Sequence, residues 1–210
     1  ANPPEKVKLD TVGPVFKGTK VKIAKDGEIL VSGENVMNGY WNDPEATAAT
    51  LIDGWIHTGD IGEFDDEGYL IITDRKKDII VNAGGDNISP SRIEAKLDIE
   101  PEIAQSMLYG DFKNYLVAVI VPDKEQALMW AKENNINEDL TAIISNEEFI
   151  KKIKNILDKI NKGLSVIEQV RKFILIDHEF TIENGMMTPS MKVRRFKVKE
   201  KYKDSLEKLY

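Results

Sequence analysis

The apolar pattern changes character at Arg75-Lys76-Lys77, and that change constrains the fold more than any other feature of the chain. Before it, residues 1–74 read as short strands and turns, with no stretch that predicts a long amphipathic helix. Val21–Ile23 and Ile29–Val31 flank Asp26-Gly27, a hairpin signal. Tyr69–Thr73 follows the turn sequence Asp65-Asp66-Glu67-Gly68, and Thr58-Gly59-Asp60 reads as an acidic turn. One short helix is predicted near Asp43-Pro44, with Asp as cap and Pro at the first helical position. After the cluster, strands and helices alternate. Ile79–Asn82 predicts a short strand, and Ser89-Pro90 opens a helix through Leu97. Ile103–Tyr109 and Tyr115–Val121 read as paired strands around Gly110-Asp111. Asp123 with Gln126, and Ser145 with Glu148, have capping-box spacing. The second box precedes a helix with apolar positions Phe149, Ile150, Ile153, Ile156, Leu157 and Ile160, stopped by Gly163. A strand near Lys172–Ile176 and a hairpin turning at Asn184-Gly185 come next. A last helix from about Val193 is expected to bury Phe196, Tyr202, Leu206 and Leu209. The expected fold class is α+β, with a domain boundary between Asp74 and Lys77.

Composition narrows the function. The 210 residues suffice for one large or two small domains, and 41% hydrophobic residues support a real core. A net charge of -7 argues against nucleic acid as main partner, which would want a basic surplus. The absence of cysteine excludes disulfides, thiolate catalysis and zinc–thiolate sites, and two histidines do not make a histidine-rich metal centre. No apolar run approaches the roughly 18 residues of a spanning helix, and the start lacks a signal-peptide pattern. A soluble, cytoplasmic protein is expected, with room left for peripheral membrane contact by the basic tail (Lys192, Arg194, Arg195, Lys197, Lys199). The acidic Glu200, Asp204 and Glu207 dilute that tail.

Residues 55–94 concentrate the polar chemistry: a carboxylate at Asp60, a basic cluster at 75–77 and a bare loop at Gly84-Gly85. A carboxylate can accept two ribose hydroxyls, and arginine donates from a planar fork, so the stretch suits a nucleotide-like ligand. Each part also has a plainer reading. A turn aspartate usually accepts a local backbone bond. Three adjacent cations are commonly a solvated run, paired glycines form turns with φ > 0, and Lys192 is one lysine of a basic tail.

The motifs taken in order resemble the adenylate-forming superfamily, which comprises acyl-CoA synthetases, firefly-type luciferases and peptide-synthetase adenylation domains. Gly27-Glu28-Ile29-Leu30 through Gly33, Val36, Gly39-Tyr40-Trp41 and Pro44 is similar to that family's GE…G…V…GY…P motif, and Trp55–Asp60 to its W-x-x-T-G-D motif. The resemblance implies that Asp60 binds the ATP ribose hydroxyls and that Arg75 contacts the same ribose. Lys77 matches the hinge position. Gly84, Gly85 and Asn87 resemble the loop lining the pantetheine tunnel, and Lys192, in Asn184–Lys192, the catalytic lysine. The D-R-K-K-D-I-I-V…G-G-x-N-I-S-P run and T-P-x-M-K ending look most like long-chain acyl-CoA synthetases, which make acyl-AMP from ATP and a fatty acid and then acyl-CoA.

The implied architecture is a small β-barrel-like subdomain, 1–74, followed by a small mobile α+β lid domain, 75–210, hinged near 75–77. The family's phosphate-binding loop, acyl tunnel and magnesium-holding motif match nothing here. The expectation is therefore the C-terminal part of a longer ATP-, Mg2+- and CoA-using ligase. Its Mg2+ ligands would lie upstream, no metal site is expected in this chain, and the fragment alone should be inactive. Ligases for aryl or amino acids, and a non-catalytic interaction module, remain the alternatives; acyl-chain preference and oligomeric state are left open.

Overall fold

The computed structural model describes residues 2–210. It divides into two compact units, Ala1–Ile79 and Ile80–Tyr210.

In the first unit, β1 (Gly13–Pro14), β2 (Thr19–Ile23), β3 (Glu28–Gly33), β4 (Leu51–Ile52), β5 (Trp55–Phe64) and β6 (Tyr69–Arg75) form one antiparallel sheet in the order β1-β6-β5-β3-β2, with β4 on β5. The β2–β3 hairpin turns where expected: Asp26 Oδ1 accepts the Glu28 N–H at 3.2 Å, and Gly27 takes φ +85°. Asp65 likewise shapes the β5–β6 turn, accepting the Glu67 and Tyr69 N–H groups. Ile29, Leu30 and Tyr69 are its buried apolar residues. The sheet is open rather than a closed barrel. Its ends are β1 and β2, and β1 is two residues long with a proline that has no N–H to offer a further strand. The helix α1 (Pro44–Thr50) starts as predicted, with Asp43 accepting the Ala46 N–H at 2.9 Å.

Thr58-Gly59-Asp60 is not a turn. It lies inside β5, the ten-residue strand, where Gly59 at φ +70° lets the chain bulge without breaking pairing to β3 and β6.

The second unit begins with a small hairpin, β7 (Ile80–Val81) and β8 (Asn87–Ile88), followed by α2 (Pro90–Leu97). Its centre is a three-stranded sheet of β9 (Ile103–Tyr109), β10 (Leu116–Pro122) and β11 (Val170–Leu175), in the order β11-β10-β9. β9 and β10 are antiparallel. β11 lies parallel to β10, so the chain between them must cross over, through α3 (Lys124–Glu133), α4 (Leu140–Ile144) and α5 (Glu147–Asn161). β10 is buried throughout, as a strand covered on both faces must be. Its alternate residues enter two separate cores. Leu116, Ala118 and Ile120 pack with Ile88, Ile93, Leu97, Phe149 and Ile153. Val117, Val119 and Val121 pack with Phe180, Met186, Met187 and, from α6 (Arg195–Glu207), Val198 and Leu206.

Four expectations need correction. The long helix α5 is capped by Asn146, whose Oδ1 takes the Glu148 and Phe149 N–H groups. Ser145 cannot cap it, because its backbone is helical (φ -94°, ψ -6°): it ends the unforeseen α4 and donates to Thr141 O. Asn184-Gly185 turns a loop rather than a hairpin; Met187 N–H reaches back to Thr181 O, and only an isolated bridge joins Met187 to Val193. Phe196 is 58% exposed, because two residues along a helix place it across from Val198, which faces the core with Leu206. Finally, Ile150 on α5 is 37% exposed, at the edge of the apolar stripe rather than within it.

Candidate functional site

In the first unit the sheet register sets Asp60 opposite Arg75, and Arg75 Nη1 donates to Asp60 Oδ1 at 2.9 Å. The pair is accessible: the arginine side chain is 52% exposed and the aspartate 26%. Acceptor and forked donor therefore stand side by side on adjacent strands, a fit for a diol such as ribose. Thr58 fixes the approach to Asp60, donating to Ile29 O at 2.7 Å and accepting the Asp60 N–H at 3.1 Å.

Behind this pair lies a group that sequence reasoning missed. Glu28 is buried, with Oε1 accepting the Gly59 N–H at 2.9 Å and Oε2 lying 3.0 Å from both His57 Nδ1 and Lys76 Nζ. Burial pushes its carboxyl pKa up, but the bonds from Lys76, His57 and Gly59 outweigh burial and hold it below the ordinary carboxylate value. Lys76 also bonds Asp26 at 2.7 Å, and with both carboxylates its ammonium pKa is raised. Only the Gly-Glu step after the hairpin turn hinted at Glu28. Lys77, next in the chain, is exposed in the turn that follows β6, where Asp78 and Ile79 N–H groups donate to Arg75 O.

In the second unit, Gly84, Gly85 and Asn87 come together in the β7–β8 turn. Asn82 organises it: its Oδ1 accepts the Gly84 and Asp86 N–H groups at 2.9 Å, and its Nδ2 donates to Asp86 Oδ2 at 3.0 Å. Gly85 has φ +86°, whereas Gly84 does not require a left-handed backbone. Asn87 is exposed opposite Val81. Bonds from Ala83 N–H to Lys113 O and from Phe112 N–H to Val81 O tie the hairpin to the β9–β10 loop.

Lys192 ends a tight loop. Thr188 and Lys192 bond each other twice: Thr188 N–H donates to Lys192 O at 2.9 Å, and the Thr188 side-chain Oγ1 accepts the Lys192 N–H at 3.1 Å. Met191 takes φ +59°. The neighbouring cations are all engaged. Arg194 bonds Gly185 O, Arg195 forks onto Glu94, Lys197 pairs with Glu200, and Lys199 with Asp111. Among the described residues, no acidic side chain pairs with the exposed Lys192 ammonium. The two loops also differ in placement. The β7–β8 hairpin packs through Ile80 and Ile88 into the core on one face of the three-stranded sheet, and the Lys192 loop through Met186 and Met187 into the core on the other.

Among the described residues no group of three or more His, Asp or Glu could hold a metal ion, and no helix is long and apolar enough to cross a membrane.

An α+β fold carrying these loops defines the class: the chain belongs to the family of AMP-binding enzyme C-terminal domains, whose profile matches residues 77–210. Its relatives are more specific. Over 206 residues it is 38% identical to long-chain fatty acid–CoA ligase FadD15 of Mycobacterium tuberculosis, covering 97% of this chain and 34% of that protein. Over 189 residues it is 37% identical to human long-chain fatty acid–CoA ligase 6, covering 88% of this chain and 27% of that one. The chain thus spans about a third or less of the length of these relatives. Among solved structures, the adenylation domain of a Mycobacterium chelonae carboxylate reductase superposes with a TM-score of 0.75 at 28% identity, covering 95% of this chain and 31% of that one. The adenylation domain of the Segniliparus rugosus carboxylic acid reductase, in complex with AMP and a co-purified carboxylic acid, gives 0.74 at 29% identity, covering 95% and 32%.

Proposed function

We propose that this chain is the C-terminal part of an ATP-dependent long-chain fatty acid–CoA ligase. The observation that carries the reading is the likeness, over 97% of the chain, to a long-chain fatty acid–CoA ligase; the accessible Asp60–Arg75 pair supports it. In the first half-reaction a fatty-acid carboxylate oxygen attacks the α-phosphorus of ATP, the bond to the β-phosphate oxygen breaks, and acyl-AMP and pyrophosphate form. In the second, the CoA sulfur, having lost its proton, attacks the acyl carbon and AMP leaves.

Asp60 accepts the ribose hydroxyls and Arg75 donates to the same sugar. Lys192 offsets negative charge on the carboxylate and α-phosphate, for which an exposed ammonium with no acidic partner among the described residues is suited. Gly84, Gly85 and Asn87 line the path of the CoA arm, where the small glycines leave the backbone open to a ligand. Residues 1–74 act as a subdomain of the larger domain and 75–210 as a lid that pivots at Lys77. Mg2+ would neutralise phosphate charge, held by groups outside this chain. The enzyme is assigned to the cytoplasm.

The test is a set of coupled assays on the full-length protein containing this chain. ATP- and CoA-dependent formation of palmitoyl-CoA, with pyrophosphate released before CoA is added, is the expected result. Turnover of benzoate or amino acids in preference to palmitate would overturn the long-chain assignment, and no acyl-AMP from any acid would overturn the ligase reading.

A further inference from the structure

The Glu28 carboxylate is the best-built charged group that the proposed chemistry leaves unused. It is 3% exposed at the start of β3. A carboxylate so far from water needs several donors, and it has three. The identity of those donors is informative. Gly59 is the residue before Asp60, and Lys76 is the residue after Arg75. Gly59 is gripped from both sides, its N–H by Glu28 at 2.9 Å and its C=O by the Lys76 N–H at 2.8 Å. The same two partners are joined to each other, since Lys76 Nζ reaches Glu28 Oε2 at 3.0 Å. His57, two residues before Gly59, closes the set from the same strand.

We propose that Glu28 is a positioning residue for the Asp60–Arg75 pair, fixing the two backbone points from which carboxylate and guanidinium reach a nucleotide ribose together. The inference rests on the reading of that pair as a ribose site. The geometry separates it from a merely structural ion pair. Gly59 has φ +70°, with open space where a side chain would stand, so packing at that position does not hold the bulge in place. Hydrogen bonds hold it instead: the Thr58 hydroxyl ties it to Ile29 O, and the Glu28 and Lys76 bonds grip Gly59 itself. Asp60 itself is linked to its surroundings by the Thr58 hydroxyl and Arg75, and Arg75 is half exposed. Without Glu28, the Gly59 N–H and the Lys76 ammonium lose their shared acceptor, and the bulge that aims Asp60 loses its anchor.

Steady-state kinetics of the full-length protein, with ATP and fatty acid varied separately, test this in Asp60→Ala, Glu28→Gln, Lys76→Met and Lys76→Arg. Glu28→Gln should raise KM for ATP about tenfold, the loss expected for a charge-assisted hydrogen bond, with KM for fatty acid unchanged. Lys76→Met should shift in the same direction by less, and Lys76→Arg should restore the wild-type value. In the 210-residue chain, the Gly59 amide proton should lose its downfield NMR shift in Glu28→Gln while core amides keep theirs. If Asp60→Ala raises KM for ATP and Glu28→Gln does not, the positioning role is overturned and the ribose site stands. If Asp60→Ala has no effect, the ribose site falls and the positioning role with it. Should Glu28→Gln fail to fold, Lys76→Met decides: a selective rise in KM for ATP supports the role, and none overturns it.

Discussion

Lys192→Ala separates a specific chemical role from general basicity. The ammonium is exposed and, among the described residues, has no acidic partner, so its loss should change stability by less than about 0.5 kcal/mol. Its effect on chemistry should be far larger. A unit charge about 4 Å from a phosphate oxygen, at an effective dielectric of about 20, is worth about 4 kcal/mol. If that interaction exists only while the α-phosphate is attacked, adenylation should slow by about 10²–10³-fold. Lys197 is the control. It lies five residues on, is spent on Glu200 at 2.8 Å, and should tolerate alanine with little change in either half-reaction. The assay follows pyrophosphate release from ATP and palmitate, then palmitoyl-CoA formation from supplied palmitoyl-AMP and CoA. Lys192→Ala should lose the first and keep the second. Equal loss in both would reveal a folding defect, and equal behaviour of the Lys192 and Lys197 variants would reduce the loop to a solvated charge run.

Other consequences follow from the packing. Asp98 stands at the surface, but its carboxyl lies against the buried Ser106, and this partial desolvation pushes it up to about 6, against the hydrogen bond from Ser106 and with help from the charge of Glu94. A carboxyl raised in the folded state contributes stability below its unfolded pKa and loses it as pH rises through about 6, so Asp98→Asn should raise Tm at pH 7 and not at pH 4 in thermal melts. Arg195→Ala leaves the buried Glu94 with the Leu108 N–H but without its forked guanidinium, and should cost about 3 kcal/mol in urea titrations. Limited proteolysis with trypsin should cut after Lys77, which is exposed, in preference to Lys76, which is paired with Asp26 and Glu28. Cutting confined to 134–137 would count against a hinge there.

What was legible in the sequence was local. Asp43 and Asp123 announce their helices because a cap acts over three residues, and the β2–β3 turn is encoded in Asp26-Gly27. Ser145 misled because Asn146 beside it has the same chemistry, and only backbone angles decide between them. Phe196 misled because helix phase is set by the core it meets, not by hydrophobicity alone. The Thr58-Gly59-Asp60 segment reads as a turn because its residues favour turns. Pairing with β3 and β6, from residues distant in sequence, makes it a strand. The candidate site divides the same way. Asp60, Arg75 and Lys192 carry motif signals, whereas the Glu28–Lys76 contact joins residues 48 apart and has no local signature.

The arrangement of the second unit bears on why such a chemistry would need motion. β10 sends alternate side chains into two cores, and each core anchors a different loop: Ile80 and Ile88 hold the glycine hairpin, Met186 and Met187 the Lys192 loop. Strand alternation therefore ties the two loops to opposite faces of one rigid sheet. A single substrate position cannot meet both faces at once. Either the two loops serve different ligands, or the unit turns between two steps on the same one. The second alternative fits the proposed reaction, in which adenylation precedes thioester formation at the same acyl carbon. In that reading the pivot is Lys77, near the end of the first unit. Lys76 is tied to Glu28 and Asp26, Ile80 is buried, and Lys77 between them is exposed. Lys77→Pro, which fixes φ near -65°, should then slow the passage from acyl-AMP to acyl-CoA more than either half-reaction assayed alone. An unchanged overall rate would place the pivot elsewhere.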